Sequence, residues 1–255
     1  MSGRPRKGRA FMEDYVFEDM LVEGTICSRP NRFIMMVERN GRVHKCHCPA
    51  TGRIGDIVFK DVPCLLSKGV GKRRTKFTVE AISLDPVDVT PRSWIGINQN
   101  RANRFIEFLI WTGQLPKMMT FAKGDKVLRE QPLARSRIDL MVRNTFIEVK
   151  TPLITLPRAP HLEYKEHGEF DSFDRLVRHF NDLGRSLKDG SRAIVVLCYL
   201  YDAEPFEPPA PDRNNQKVRD AVARATKRGV ENWQVNLRID ERSVSLVRYF
   251  KLEIS

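Results

Sequence analysis

The seven residues Asp85-Pro86-Val87-Asp88-Val89-Thr90-Pro91 constrain this chain more than any other stretch. Two prolines so close together can continue neither a helix nor an inner strand, so the run reads as a linker. The patterns on its two sides differ. From Val16 to about Leu84, short apolar runs alternate with turn residues: TICSRP, RFIMMVE, RVHKCHCP, GDIVFKDVPCLL and TKFTVEAIS. Asn40-Gly41, between two of these runs, is a hairpin signal because both residues accept positive φ. Five short strands in about 70 residues predict a small closed β-barrel of the OB type rather than a sandwich. Beyond Pro91 the pattern is one of helices alternating with strands. A helix is expected over 100–111, stopped by Gly113. It is followed by an amphipathic helix over about 170–187, a buried strand AIVVLCYLY, a helix over 214–227 ending at Gly229, and terminal strands WQVNLRI and SVSLVRYF. The fold class expected is α/β with an all-β N-terminal part: residues 16–86 as an OB-like barrel and 87–255 as a mixed-sheet domain.

Charge narrows the partners. With 44 Lys and Arg against 32 Asp and Glu, the formal net charge of +12 calls for a polyanion, DNA or RNA before an anionic membrane. No apolar run approaches the roughly 20 residues of a membrane-spanning helix, and no apolar segment follows the first basic residues, so a cytoplasmic protein without membrane attachment is expected. The helix at 170–187 mixes both signs on its polar side, unlike a membrane-surface helix. Five scattered cysteines suit reduced thiols. A homodimer is left open.

Two basic stretches are candidates for nucleic-acid contact. Residues 1–15 read as a basic disordered tail, in which Gly3-Arg4-Pro5 followed by Arg6 and Lys7 resembles an AT-hook; a plain phosphate-binding arm would look the same. Lys72, Arg73 and Arg74 suit a phosphate track on the barrel, or simply a solvated face. His44, Cys46, His47 and Cys48 are zinc-type ligands, but no second pair completes a set of four, and neighbours on a strand point to opposite faces. That stretch reads as structural.

The chemistry concentrates in RSRIDLMVRNTFIEVKTP, residues 135–152. Glu148 and Lys150 alternate with Ile147 and Val149, so a strand buries the aliphatics on one side and presents both charges on the other. Glu163-Tyr164-Lys165 repeats the Glu-x-Lys spacing in a polar stretch with no such strand. If Arg143-Asn144 is a two-residue loop, Val142 pairs with Thr145 and Asp139 falls opposite Glu148, about 4.5–5.5 Å away at Cβ. A three-residue loop would leave the acids diagonal. Two carboxylates so placed call for a cation, and hard oxygen donors suit Mg²⁺ or Mn²⁺, with Glu130 as a further ligand. Lys150 would orient or deprotonate a water. This is the arrangement of PD-(D/E)xK nucleases; an ordinary ion-paired hairpin has the same composition.

A wider resemblance supports the first reading. Arg29-Pro30-Asn31-Arg32-Phe33, His47-Cys48-Pro49-Ala50-Thr51-Gly52, Lys72-Arg73-Arg74, Asn98 with Ala102-Asn103-Arg104, Ser136-Arg137-Ile138-Asp139 and Glu148-Val149-Lys150 occur in the order found in the sugar fermentation stimulation protein A (SfsA) family. The chain resembles a divergent member. The resemblance implies an OB-like barrel joined to a restriction-endonuclease-like PD-(D/E)xK domain that binds nucleic acid. It places Asp139, Glu148 and Lys150 in a Mg²⁺-dependent phosphodiester-hydrolysing site; Arg137, Arg175 and His179 are candidates for phosphate contacts nearby, and each suits a solvated or structural charge equally well. A non-catalytic DNA-binding regulatory or architectural protein on the same fold is the alternative. Departures fall in the helix carrying Arg175 and His179, where the family's threonine and glycine are missing, in the stretch 157–169, and at Glu107, where the family's acid would stand one residue later.

Overall fold

The computed structural model describes residues 13–69, 74–133, 136–165, 174–187, 190–208 and 215–253. Along the chain run β1 (Tyr15–Val16), β2 (Val22–Asn31), β3 (Ile34–Arg39), β4 (Arg42–His47), β5 (Val62–Lys68), β6 (Phe77–Ile82), β7 (Ile95–Gly96) and α1 (Gln99–Trp111). After these come β8 (Val127–Leu133), β9 (Ser136–Val142), β10 (Thr145–Lys150), α2 (Asp174–Ser186), β11 (Arg192–Tyr199), α3 (Gln216–Lys227), β12 (Glu231–Ile239) and β13 (Ser243–Lys251).

The five strands expected before the linker, joined by β7 from beyond it, form a sheet in the order β4-β3-β2-β5-β6-β7, and parallel pairing of β4 with β6 at Cys46–Phe77 and His47–Thr78 closes it. The result is a five-stranded OB-type barrel, as the sequence predicts. Asn40 and Gly41 take φ of 54° and 72° and set Arg39 opposite Arg42, the twist-matched turn that such a dipeptide favours. Alternation along the strands turns Met35, Val37, Cys46, Cys64, Leu66 and Val79 into the interior. Cys46 and Cys48 lie buried there, so the His-Cys stretch contributes its thiols to packing. Arg29 Nη2 donates to the carbonyls of Ala50 at 2.7 Å and Gly52 at 3.0 Å, joining the first two motifs of the barrel to one another.

The second sheet has seven strands in the order β1-β13-β12-β11-β10-β9-β8. Its centre, β10-β11-β12, is parallel, with α2 and α3 in the two connections; parallel neighbours need such crossovers. The flanking pairs are antiparallel. The layers follow from alternation on β11. Ile194, Val196 and Cys198 join α1 on one side, and Ala193 and Val195 join α2 and α3 on the other.

The linker does not separate the halves cleanly. Tyr15 and Val16, read as tail and barrel, pair with Val244 and Ser243 in the second sheet. Beyond Pro91, β7 adds to the barrel sheet through Ala81–Gly96 and Ile82–Ile95. Leu153 and Leu156, just past Lys150, sit in the barrel core, and Tyr164 of the second Glu-x-Lys bridges to Ile57. Arg4, Arg6, Lys7, Lys72 and Arg73 lie outside the described residues. Arg74 is exposed beside β6. Among the described residues no helix is long and apolar enough to cross a membrane.

Candidate active site

The hairpin β9–β10 takes the two-residue loop, with Thr145 opposite Val142, Phe146 opposite Met141 and Ile147 opposite Leu140. Arg143 takes the positive φ, 51°, despite its side chain. Its guanidinium, bonded to the Thr120 carbonyl and 3.2 Å from Asp125, anchors the turn. The ladder ends one pair short of Asp139 and Glu148. The Asp139 carboxylate itself accepts the next backbone N–H, that of Val149, at 2.8 Å. Ile138 packs with the α2 side and Leu140 with the α1 side, although two residues apart on one strand. The backbone therefore turns over at Asp139. This lets α1 reach it from the opposite layer: Asn103 Nδ2 donates to Asp139 Oδ1 at 3.0 Å.

Glu148 is 2% exposed. Lys150 Nζ donates to its Oε1 at 2.5 Å, and Nδ1 of His179, on α2, meets the same oxygen. The two nitrogens are 3.4 Å apart. Glu148 Oε2 is buried and has no hydrogen-bond partner among the described residues. Burial raises the pKa of Asp139 above its ordinary value, and the charge of Glu148 pushes the same way. Donation from Val149 and Asn103 and the charge of Lys150 offset this in part. Burial alone would raise Glu148 as well, but His179 and Lys150 outweigh it and hold this carboxyl below its usual range.

Of the residues expected here, the structure brings together Asp139, Glu148, Lys150 and His179. Arg137, exposed on β9, precedes Asp139 by two residues and pairs with Pro132 of β8. Arg175 falls in the first turn of α2. Glu130 is exposed on β8 with φ of 51°, and it is not gathered with the pair; among the described residues no three His, Cys, Asp or Glu side chains converge to hold an ion. Glu107 turns away to Arg129, 2.5 Å distant. Asn103 carries no sequence signal beyond its motif, and its bond to Asp139 spans 36 positions, beyond the reach of any local pattern.

The donors available to a cation are hard carboxylate oxygens, suited to Mg²⁺ or Mn²⁺. Lys150 and His179 meet one oxygen of Glu148, and the other, Oε2, is buried without a donor among the described residues, which leaves it open to an ion. Asp139 and Glu148 therefore fit such an ion.

Comparison with known proteins agrees over the length of the chain. Residues 27–97 match the model of the SfsA N-terminal OB domain, and residues 100–243 match the sugar fermentation stimulation protein RE domain. A sugar fermentation stimulation protein homolog of Natranaerobius thermophilus is 31% identical over 208 residues, 76% of this chain and 79% of that one. A homolog of Teredinibacter turnerae is 28% identical over 244 residues, covering 91% of this chain and 96% of its own. The solved structure of Pyrococcus furiosus SfsA in complex with Ca²⁺ superposes with a TM-score of 0.72 at 21% identity, over 92% of this chain and 96% of that one. Barrel, mixed sheet and motif order thus converge with these matches, and the chain belongs to the sugar fermentation stimulation protein (SfsA) family.

Proposed function

We propose that the chain is a nuclease, hydrolysing phosphodiester bonds of DNA or RNA with Mg²⁺ or Mn²⁺ held by Asp139 and Glu148. The observation that carries this reading is the unpartnered, buried Oε2 of Glu148 beside a second carboxylate and an ammonium. When bound, the cation would neutralise charge on the scissile phosphate and on the attacking oxygen. The chain's own residues do the rest. Lys150 is partly exposed, so its ammonium can hold and orient a water and, after attack, stabilise the pentacovalent phosphate. His179 fixes the Glu148 carboxylate from α2, and Asn103 fixes Asp139 from α1. Arg137 and Arg178, both exposed, would supply cations for neighbouring phosphates. The relative from Pyrococcus furiosus was solved with Ca²⁺, a cation of the same hard, oxygen-seeking class.

The second reading, a nucleic-acid-binding protein that does not cut, is favoured by one observation. Lys150 and His179 already compensate Glu148 through one oxygen, a pairing that needs no metal ion. Incubating labelled single- and double-stranded DNA and RNA with Mg²⁺, Mn²⁺ or EDTA separates the two. Metal-dependent cleavage that Asp139→Ala abolishes, with binding retained, supports the nuclease; binding without product on every substrate sinks it.

A further inference from the structure

An open groove of about 720 Å³ lies between α1 and the start of β8, walled by Arg104, Phe108 and Trp111 on the helix and by Phe121, Lys126 and Leu128 opposite. Two of its lining residues, one on each wall, are neighbours of the candidate site along the chain or across the sheet. Arg104 follows Asn103, which holds Asp139, and Arg129 pairs with Leu140, the residue after Asp139. Its outer end is Trp111, the last residue of α1 and 61% exposed, whereas Trp94 and Trp233 are buried. At the helical rise, Trp111 stands roughly 12 Å along the axis from Asn103. That is the length of about three to four nucleotides at the spacing of one strand.

The charge of the groove is settled by its ion pairs. Glu107 is engaged by Arg129 and Asp125 by Arg143. Arg104 and Lys126 are exposed and have no acidic partner among the described residues. The groove therefore combines an exposed aromatic face with unpaired cations at its rim, the two elements that hold an unpaired strand: stacking for bases and charge for phosphates. A duplex keeps its base faces stacked inside and offers none to an indole.

We infer that this groove binds the single-stranded nucleic acid running into the candidate site, with one base stacked on Trp111 and phosphates against Arg104 and Lys126. This deepens the nuclease reading and rests on it for the destination of the strand, but the binding itself needs no cleavage. The test titrates the full chain in EDTA with oligo-dT and oligo-U of about 15 nucleotides, and with a duplex of the same length. Tryptophan emission and the anisotropy of the labelled strand are followed together.

Single strands quench the emission and the duplex does not. Trp111→Ala removes the quench and weakens single-strand binding roughly five- to a hundredfold, Trp111→Phe regains most of it, and duplex binding is unchanged. Single-strand binding without quenching, equal binding by Trp111→Ala, or no single-strand binding at all overturns the inference. Failure of the nuclease reading looks different. Quenching without cleavage of any substrate sinks the nuclease and leaves the groove, whereas Mg²⁺-dependent cleavage with an unchanged KM in Trp111→Ala sinks the groove alone.

Discussion

Asn103 donates to Asp139 across 3.0 Å, so a helix on one face of the mixed sheet fixes a carboxylate whose partner, Glu148, is fixed from the other face by His179 on α2. Residues that orient such carboxylates from outside typically contribute ten- to a hundredfold to metal affinity or activity. On the proposed nuclease reading, Asn103→Ala is expected to lower Mg²⁺-dependent cleavage by about that factor and to raise the Mg²⁺ concentration needed for half-maximal rate. Asn103→Asp, which sets a third negative charge beside the pair, should lower the rate at subsaturating Mg²⁺ less than Ala does. A metal titration of the three proteins, with melting curves to confirm folding, checks both.

Glu80 is the latch between the barrel and α1. At 1% exposure it accepts from Ser67 at 2.5 Å and Asn98 at 2.7 Å, and Arg101 lies 3.4 Å away. Glu80→Ala leaves these donors without their acceptor and is expected to cost about 3 kcal/mol in urea unfolding. Glu80→Gln, which keeps the hydrogen bonds and loses the charge, should cost less. Because Asn98 begins the helix that carries Asn103, the alanine variant should also reduce activity under conditions where it is folded.

Gly96 sits where the two halves touch. A Cβ there would lie 2.5 Å from Leu200 Cβ, and its N–H donates to the Leu200 carbonyl at 2.9 Å. Neither backbone can yield without breaking that bond or the pairing of β7. Gly96→Ala is expected to lose about 1–3 kcal/mol, measured by thermal or urea melts. Gly41→Ala meets nothing within 4 Å but requires φ of 72°, so it should cost about 1 kcal/mol through backbone strain alone.

The buried thiols predict how stability falls at high pH. Burial raises the Cys46 pKa from an ordinary value of 9.0 to about 11, and pushes Cys48, Cys64 and Cys198 up as well. A group whose folded pKa is the higher one contributes fully below its unfolded pKa, and the contribution is lost as pH rises through the folded value. Unfolding free energy should therefore decline from about pH 9 upward, in the window that Cys46 sets at 9 to about 11. Replacing Cys46 with Val should flatten that decline. In the folded protein at neutral pH a thiol reagent should label the exposed Cys27 and leave the four buried thiols until the chain unfolds.

Much of this arrangement was legible because its signals are local. Asn40-Gly41 declared its turn, the three helices carried their own periodicity, and alternation around Glu148 and Lys150 fixed which side chains share a face. The loop at Arg143-Asn144 set the register through Ile147–Leu140. What escaped was non-local or weakly patterned. Strand β8, VLREQPL, is an edge strand whose charges and proline hide its period, and β1 has only two residues. The end of the β9–β10 ladder could not be read either, since it depends on Asp139 giving its carboxylate to Val149 and on Asn103 arriving from a distant helix.

The strap that follows Lys150 has a consequence for how such chains can be recombined. Leu153 and Leu156 complete the barrel interior, the N–H of Gly55 bonds to the Leu153 carbonyl at 2.8 Å, and Val58 bonds to Glu163 at 2.9 Å. The barrel thus borrows part of its core from residues encoded after the candidate catalytic lysine. A cut at the proline-rich linker would strip Leu153 and Leu156 from its core, so this barrel and this mixed sheet are poor candidates for exchange as separate cassettes. Exchange between relatives has to carry the strap along with the barrel that it fills.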